Sequence, residues 1–387
     1  MAASSFVRIA SLAALSLVTE IVGCAASDEP LDEDESAAVE EDLSAGKMNV
    51  GWTVGFASTF ENPAFDDMWT STKGEAHSRI CHAYPAWDVA SQDPGTKGNG
   101  QRESWQAIYD RATAANEHCE LLVTFKMHDN QIPRSVDAYE KAFLAFRKAW
   151  PKVRRFTAWN EANNNHGAGN GLDDGKTILG PERAAEHYLA IRKHCAPKDN
   201  CIVAAGDILA WTNMAALKEE CPGKPEDGCA DGSFLDQYKN AIVTKAERFG
   251  LPKSFRPEYW ALHPWFDSFN YTQHKAHCQS ADDCATRAML RSLDGSWKNS
   301  RVWITEIGVN HEGPKGFTDE KAQACGAAFV LRLFAISDRI TKVYYSHFCG
   351  AGANGDSALV DSCKMPARER QAFTVLRNRE ANVPGCF

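Results

Sequence analysis

The sequence predicts an α/β protein in which eight parallel strands close into a single (β/α)8, or TIM, barrel. Short apolar runs alternate with amphipathic segments along most of the 387-residue chain. Such alternation indicates βαβ units and a parallel sheet. The first strand candidate ends in Gly55 to Ser58 rather than in a glycine-rich phosphate-binding turn. That ending, together with the count of eight strands, favours a closed barrel over an open doubly wound sheet.

Each strand is predicted from a short apolar run bounded by polar or turn-forming residues. The runs lie at 48–56, 77–87, 119–127, 154–161, 201–209, 257–265, 301–308 and 342–348.

The segments between the strands have apolar residues three and four apart, which is typical of amphipathic helices. They lie at 104–118, 137–150, 181–195, 233–249, 281–293, 320–337 and 366–379, with a weaker pattern at 63–76. Pro181 and Pro366 suit a first helical turn, and Ser135 suits an N-cap.

The N-terminal residues predict export rather than fold. Residues 1–23 carry Arg8 and then an apolar run from Ile9 to Val18, which is typical of a signal peptide. Ile21 to Cys24 resembles a bacterial lipobox, in which the cysteine is lipidated. We therefore expect an outer-membrane or cell-surface lipoprotein of bacterial type, with plain secretion as the alternative.

An acidic tether follows, so that three segments are expected: 1–23, 24–46 and a barrel domain at 47–387. Residues 25–46 contain nine acids and no base, a composition that predicts disorder. Since the whole chain has a net charge of −9, the remainder is close to neutral. The sequence therefore shows no basic field for nucleic acid.

Twelve cysteines remain when Cys24 is set aside, and their spacing is not that of paired CxxC zinc motifs. In an oxidising compartment they predict up to six disulfides that staple the barrel. Neighbouring cysteines suggest local pairs, although the spacing does not fix connectivity. These are Cys195 with Cys201, Cys221 with Cys229, Cys278 with Cys284, and Cys349 with Cys363.

The chemistry is expected at the carboxyl ends of the strands, where (β/α)8 enzymes carry their active residues. Strand four ends in Asn160 and Glu161, strand six in His263 to Trp265, and strand seven in Glu306. Strand eight ends near Tyr345 and His347, strand two carries Arg79 and His82, and strand five carries Asp207. Two carboxylates among aromatic and histidine side chains are what glycoside hydrolysis requires.

Asn160-Glu161 on strand four and Glu306 on strand seven resemble the clan A glycoside hydrolases, which are retaining (β/α)8 barrels. The resemblance implies that Glu161 is the acid/base, Glu306 the nucleophile, and Asn160 a ligand of the sugar 2-hydroxyl. It further implies that His263 and Arg79 support the site. The sequence departs from the clan pattern at Ala162 (often proline), at Trp265 (often tyrosine) and at Tyr345 and His347 (often a tryptophan platform).

The predicted function is retaining hydrolysis of an O-glycosidic bond in an extracellular poly- or oligosaccharide, and the bond is expected to be β-linked. The site set is Glu161 and Glu306 for catalysis, with Asn160, Arg79, His263, Trp265 and Tyr345 for substrate binding. We expect no metal or organic cofactor and no nucleic-acid partner. We expect a monomer that contacts the membrane only through Cys24.

Two other classes of function are compatible with the sequence. One is a non-catalytic surface lipoprotein that binds glycan or protein through its barrel. The other is a metal-dependent hydrolase using His82, His128 and His263, although the first strand lacks the HxH spacing that such enzymes use.

Overall fold

The structure is a computed structural model. It describes residues 48–114, 119–128, 132–164, 179–210, 217, 233–268, 278–309, 320–349, 357–360 and 368–386. Within these ranges eight strands form one closed barrel in sequence order, and β8 pairs in parallel with β1. The predicted fold class is confirmed.

The eight strands fall inside or close to the predicted runs. They are β1 Val50–Thr53, β2 Ile80–Ala83, β3 Glu120–Thr124, β4 Arg155–Thr157, β5 Ile202–Leu209, β6 Tyr259–His263, β7 Arg301–Ile307 and β8 Ile340–Tyr345.

Eight helices surround the barrel in the described part of the chain. They are α1 Pro63–Asp67, α2 Arg102–Ala112, α3 Val136–Ala149, α4 Pro181–Arg192, α5 Phe234–Lys245, α6 Ala285–Ser292, α7 Glu320–Ile336 and α8 Gln371–Asn378. Ser135 caps α3 by accepting the Ala138 N–H, and Pro181 opens α4, both as predicted. The weak pattern at 63–76 yields only the short α1.

The barrel interior has an apolar lower layer. Alternate residues of a strand face the same side of a sheet. Those that face inward near the amino ends form a small separate cluster, composed of Ile80, Leu122, Ala204, Ala261, Trp303 and Tyr344. This layer closes the barrel beneath the carboxyl ends of the strands, where the polar residues lie.

β4 is shorter than predicted because the chain leaves the extended conformation before Glu161. The run at 154–161 predicts a strand through Glu161, but β4 ends at Thr157. Glu161 has a φ of 46°, in the left-handed region that L-residues rarely occupy. Its side chain is therefore presented by a turn rather than by a strand.

Four disulfides lie within the described residues. Cys195–Cys201 and Cys278–Cys284 are two of the local pairs expected from the sequence. Cys81–Cys119 joins β2 to the residue before β3, and Cys325–Cys386 ties α7 to the C-terminal end. Cys221, Cys229 and Cys363 lie outside the described residues.

The predicted signal peptide, Cys24 and the acidic tether also lie outside the described residues. Among the helices that the structure does describe, none combines the length and hydropathy needed to cross a bilayer.

His187 on α4 is a fully buried histidine in the shell around the barrel. Its ring stacks on Tyr139 at a centroid distance of 4.3 Å, and Trp159 lies 5.6 Å away. Neither ring nitrogen has a hydrogen-bond partner within the described structure. Burial, with a smaller contribution from Arg183, lowers the pKa of His187 to about 3. The ring is therefore neutral wherever the fold is intact near neutral pH.

We predict that His187→Leu makes the fold less sensitive to acid. In the unfolded chain this histidine binds a proton near its usual pKa of about 6.5, whereas the folded chain keeps it neutral. The contribution of the neutral ring to the free energy of unfolding is fully present above pH 6.5, and it falls as the pH drops toward the folded pKa. Between pH 6.5 and 4.5 the loss attributable to His187 is on the order of 2 kcal/mol.

Urea unfolding at pH 7.0 and 4.5 measures the difference between wild type and variant. Leucine also removes a buried ring with no hydrogen-bond partner, so the variant should be at least as stable at pH 7.0. Phe143→Leu replaces a buried ring that binds no proton; it is the control and should keep the wild-type pH slope. If the free energy of unfolding of His187→Leu depends on pH as strongly as that of the wild type, His187 is not the neutral buried group that makes the fold sensitive to acid.

Candidate active site

A polar layer lies directly above the apolar layer, toward the carboxyl ends of the strands. Its members are fully buried, and they come from six successive strands, β2 to β7. They are His82, Thr124, Thr157, Asp207, His263 and Thr305. Because buried polar groups need partners, this layer is expected to form one hydrogen-bonded network.

Glu161 and Asp207 are brought together by two distorted strand ends. Their φ angles are 46° and 66°, and the Glu161 N–H donates to the Asp207 carbonyl at 3.1 Å. The β5–β6 register slips between Gly206 and Ile208, so Asp207 sits on a bulge. Non-glycine residues in this region typically cost about 1 kcal/mol or more and cluster at functional sites. The bulge turns the Asp207 carboxylate into the polar layer.

The asparagine run after Ala162 fixes this distorted region. Asn163 accepts from the Leu209 N–H at 2.9 Å and donates to the Leu209 carbonyl at 2.8 Å, as a neighbouring strand would. Asn164 donates its backbone N–H to the Glu161 carbonyl at 2.8 Å. It also donates its side-chain amide to Glu161 Oε2 at 2.9 Å. Asn164 therefore orients Glu161, and Asn163 ties the turn beside it to β5.

His263 lies between three carboxylates. Its Nδ1 donates to Glu161 Oε1 at 2.9 Å and lies 3.8 Å from Glu306 Oε2, while its Nε2 makes an ion-pair contact with Asp207 Oδ1 at 3.1 Å. Burial alone would lower the pKa of His263, but Asp207, Glu161 and Glu306 outweigh it and raise this pKa well above the usual value. The ring is therefore an imidazolium that joins Glu161 to Asp207.

Asp207 is ionised for the same reason. Burial tends to raise its pKa, but the adjacent His263 outweighs burial, and the net pKa is lowered. Thr305 Oγ1 donates to Asp207 Oδ1 at 2.5 Å, and Thr157 Oγ1 donates to Oδ2 at 3.2 Å. The two opposite charges, each hydrogen-bonded or ion-paired, satisfy one another in the barrel interior.

Glu306 closes the site from β7. Its Oε2 accepts a 2.5 Å hydrogen bond from the Tyr84 hydroxyl, and Ser346 Oγ lies 3.4 Å from Oε1. Burial and the negative charge of Glu161 raise the pKa of Glu306, against the opposing effects of His263 and the Tyr84 hydrogen bond. One oxygen of Glu161, one oxygen of Glu306 and one nitrogen of His263 lie within 4.8 Å of one another.

His82 is neutral, in contrast to His263. Its Nδ1 donates to the Thr305 carbonyl at 2.7 Å, so Nε2 accepts from Thr124 Oγ1 at 2.7 Å. Burial is the main cause that lowers the pKa of His82 to about 4. The Tyr84 oxygen lies 3.1 Å from the same Nδ1, and the two rings pack at 4.3 Å. His82 thus supports the tyrosine that holds Glu306.

Several residues that the sequence proposed for the site lie beside the carboxylates. Asn160 precedes Glu161, is 8% exposed and donates its backbone N–H to the Phe125 carbonyl at 2.9 Å. The Trp265 ring packs against Gly308, just beyond β7, where an added Cβ would lie 2.9 Å from Trp265 Cη2. Both lie at the carboxyl end of the barrel.

Two predicted site residues lie elsewhere. Arg79 directly precedes β2 and is exposed, so it lies at the amino end of the barrel, opposite Glu161 and Glu306. Tyr345 is fully buried between the barrel and the helices, where its hydroxyl accepts from the Val309 N–H at 3.2 Å. Alternation along β8 explains this position, since its neighbour Tyr344 occupies the interior.

Two clusters in the described part of the chain have a metal-like arrangement of donors. One consists of Asp267, Cys278 and Cys284, but its sulfurs form a disulfide and are not thiolates. The other is Glu161, His263 and Glu306. Both nitrogens of His263 face carboxylates, and the ring holds two protons, so it has no lone pair for a metal. His128, of the alternative metal set, pairs with Asp88 at 2.9 Å.

Sequence reasoning missed Tyr84, Asn164 and Ser346, and it gave Asp207 no role. A signal for Tyr84 was present: it stands two residues after His82, on the same face of the extended chain. Nothing in the sequence pattern announced the bulge that turns Asp207 inward.

We predict that Asp207→Asn lowers the pKa of His263 toward the usual value. The substitution keeps the size of the side chain and removes the charge that most strongly raises this pKa. Nitrogen-15 NMR of the imidazole should show a doubly protonated ring at neutral pH in wild type and a ring that loses a proton within the neutral range in the variant. Asp236→Asn, on the surface helix α5, is the control and should leave His263 unchanged.

If His263 stays doubly protonated at the same pH in Asp207→Asn, the ion pair with Asp207 is not what holds its charge.

No family model and no curated protein sequence matches the chain. Solved structures do resemble it. A family 39 glycoside hydrolase from Bacteroides cellulosilyticus WH2 aligns with a TM-score of 0.52 and 13% identity, over 88% of this chain and 64% of that one. The chain therefore spans less than two thirds of that protein's length.

Two further structures resemble it to the same degree. Xylanase 10B from Thermotoga petrophila RKU-1, in complex with xylobiose, has a TM-score of 0.52 and 11% identity, over 89% of this chain and 97% of that one. A GH5_18 protein from Bifidobacterium longum subsp. infantis has a TM-score of 0.50 and 11% identity, over 86% and 79%. At these identities the likeness establishes the fold, and this chain has the barrel architecture found in those glycoside hydrolase structures.

Proposed function

We propose that the protein is a retaining glycoside hydrolase. The carrying observation is the pair of carboxylates, Glu161 and Glu306, with oxygens within 4.8 Å of each other at the carboxyl end of a (β/α)8 barrel. Retaining enzymes hold their two carboxyl groups about 5–5.5 Å apart, whereas inverting enzymes leave about 6.5–9.5 Å for a water. The short separation favours direct attack by one carboxylate on the anomeric carbon.

Glu306 is the nucleophile in this proposal. Tyr84 donates to one of its oxygens and fixes the orientation of the carboxylate. A hydrogen bond of this kind stabilises the ionised form, which is the form that attacks. Attack forms the bond from a Glu306 oxygen to the anomeric carbon while the bond to the leaving oxygen breaks.

Glu161 is the acid and then the base. Besides burial, the charge of Glu161 is one of the causes that raise the pKa of Glu306, so the two carboxylates interact across the site. Tyr84 engages Glu306, which leaves Glu161 as the group that exchanges a proton with the leaving oxygen. Glu161 delivers it to the leaving oxygen and later takes one from the water that hydrolyses the glycosyl-enzyme.

The substrate in this proposal is a β-linked poly- or oligosaccharide outside the cell. Asn160 directly precedes Glu161 and would hydrogen-bond the sugar 2-hydroxyl, and Trp265 lies beside the end of β7. The xylanase structure of the same fold holds xylobiose, which supports a saccharide ligand. Export through the signal peptide, with an anchor at Cys24, is supported by the disulfides, which form in oxidising compartments.

The test is hydrolysis of a panel of polysaccharides and aryl β-glycosides, with the product anomer followed by proton NMR. We expect the first-formed product to keep the anomeric configuration. Glu306→Gln should lower kcat by at least about 1000-fold, because the covalent step is lost. Inversion of configuration, or a Glu306→Gln variant that retains its rate, would overturn the mechanism.

A second variant separates the two roles. Glu161→Ala should hydrolyse substrates with good leaving groups, such as dinitrophenyl glycosides, much better than natural linkages, because such groups leave without a proton. Added azide should accelerate it and form a β-glycosyl azide. A binding lipoprotein without catalysis would instead show glycan affinity that Glu161→Ala and Glu306→Gln leave intact, and no turnover in wild type.

We further predict that Tyr84→Phe slows the reaction and shifts its pH profile. Loss of the hydroxyl removes a hydrogen bond to charged Glu306, an interaction worth about 1.5–3 kcal/mol. This corresponds to a fall of about 10- to 150-fold in kcat/KM. The pKa of Glu306 rises further, so the acidic limb of the profile moves to higher pH.

Tyr109→Phe, on helix α2 away from the carboxylates, is the control for loss of a tyrosine hydroxyl. A slower Tyr84→Phe with an unmoved acidic limb would mean that Tyr84 acts on the substrate rather than on Glu306.

A further inference from the structure

Lys126 stands in the mouth of the barrel directly after β3. Leu122 and Thr124 of that strand face the interior, the first in the apolar layer and the second bonded to His82. Lys126 continues the same alternation and pairs in parallel with Ala86, beyond the end of β2. Its side chain therefore points into the mouth, between the strand that carries Tyr84 and the strand that carries Glu161.

The loop after β2 is built closely around the end of this side chain. Gly100 has a φ of 79°, and a Cβ added there would lie 2.7 Å from Lys126 Cε and 3.3 Å from Nζ. The same Cβ would lie 2.4 Å from the Tyr84 carbonyl. Only glycine fits at this position, and the loop backbone there packs closely against the end of the Lys126 side chain, beside the Tyr84 carbonyl.

No described residue neutralises this ammonium group. Lys126 is only partly exposed, and its pKa is lowered by burial, with no carboxylate that raises it. Asp88, an acid on the same rim, is engaged by His128 at 2.9 Å and by Gln92 at 2.8 Å. A largely buried charge without a counter-charge is unfavourable unless a ligand supplies one.

We propose that Lys126 binds an anionic group of the glycan, a carboxylate or a sulfate, so that the substrate is an acidic poly- or oligosaccharide. This inference rests on the proposed function for its substrate, and it names the class of that substrate. The near-neutral folded domain gives no long-range attraction for acidic glycans. Selection must then come from a local contact such as this one.

The experiment uses the purified protein with Glu306→Gln, which binds without turnover. Oligosaccharides of alginate and hyaluronan are each compared with their carboxyl-reduced forms, and oligosaccharides of carrageenan with their desulfated forms. Calorimetry should show tighter binding of at least one acidic member, by about 10-fold or more over its neutral partner. The pair that shows the preference tells carboxylate from sulfate.

Lys126→Met, which keeps the apolar stem and removes the charge, should abolish that preference and leave the neutral partner's affinity unchanged. Lys126→Gln keeps a hydrogen-bond donor without charge and should behave like the methionine variant. Lys298→Met, at an exposed lysine near the amino end of β7, is the matched control and should bind as wild type does. Thermal unfolding should show Lys126→Met at least as stable as wild type, since an unpaired buried charge is removed.

Equal affinity for every acidic glycan and its neutral partner would overturn the proposal, and so would an acidic preference that survives in Lys126→Met. Because binding is measured in a variant without turnover, failure of the binding proposal can be told apart from failure of the proposed catalytic function. If the wild-type protein hydrolyses neutral glycans and shows no preference for acidic ones, the proposed function stands and this inference fails. A protein that binds acidic glycans through Lys126 without hydrolysing any keeps the inference and loses the function.

Discussion

The site depends on one interaction, the buried imidazolium of His263 held between Asp207 and Glu161. Its two nitrogens lie 2.9 Å from Glu161 Oε1 and 3.1 Å from Asp207 Oδ1, and the ring is fully buried. Three carboxylates this close would repel one another strongly in a low-dielectric interior. The positive ring lets them coexist, and it holds Glu161 at a distance from Glu306 that fits the proposed retaining mechanism.

The backbone is distorted to build this arrangement. In a regular β5, Asp207 stands three residues after the inward-facing Ala204, so its side chain would point away from His263. The bulge at Asp207 and the left-handed conformations of Asp207 and Glu161, joined by a hydrogen bond between them, bring both carboxylates to His263. Asn163 replaces the missing strand hydrogen bonds at Leu209. At the site, the left-handed conformations thus fall on two of the residues that carry its charges.

The fold, and the positions of Glu161 and Glu306 at the carboxyl end of the barrel, could be predicted from the sequence, whereas much of the network around them could not. Strand number and helix order follow from apolar periodicity, and Glu161 and Glu306 follow from their places after the fourth and seventh strands. Arg79 and Tyr345 were misplaced because a pattern does not tell where within a run a strand begins, or which of two adjacent residues faces inward. Asp207 was given no role because a bulge leaves the pattern unchanged.

The apolar layer beneath the site completes the electrostatic argument. Large side chains such as Trp303 and Tyr344 fill the barrel below His263. The low dielectric of this layer strengthens the charge interactions of His263 with Asp207 and Glu161. In the proposed function, a sugar that enters from the mouth would displace water from the carboxylates and strengthen the interaction between Glu161 and Glu306.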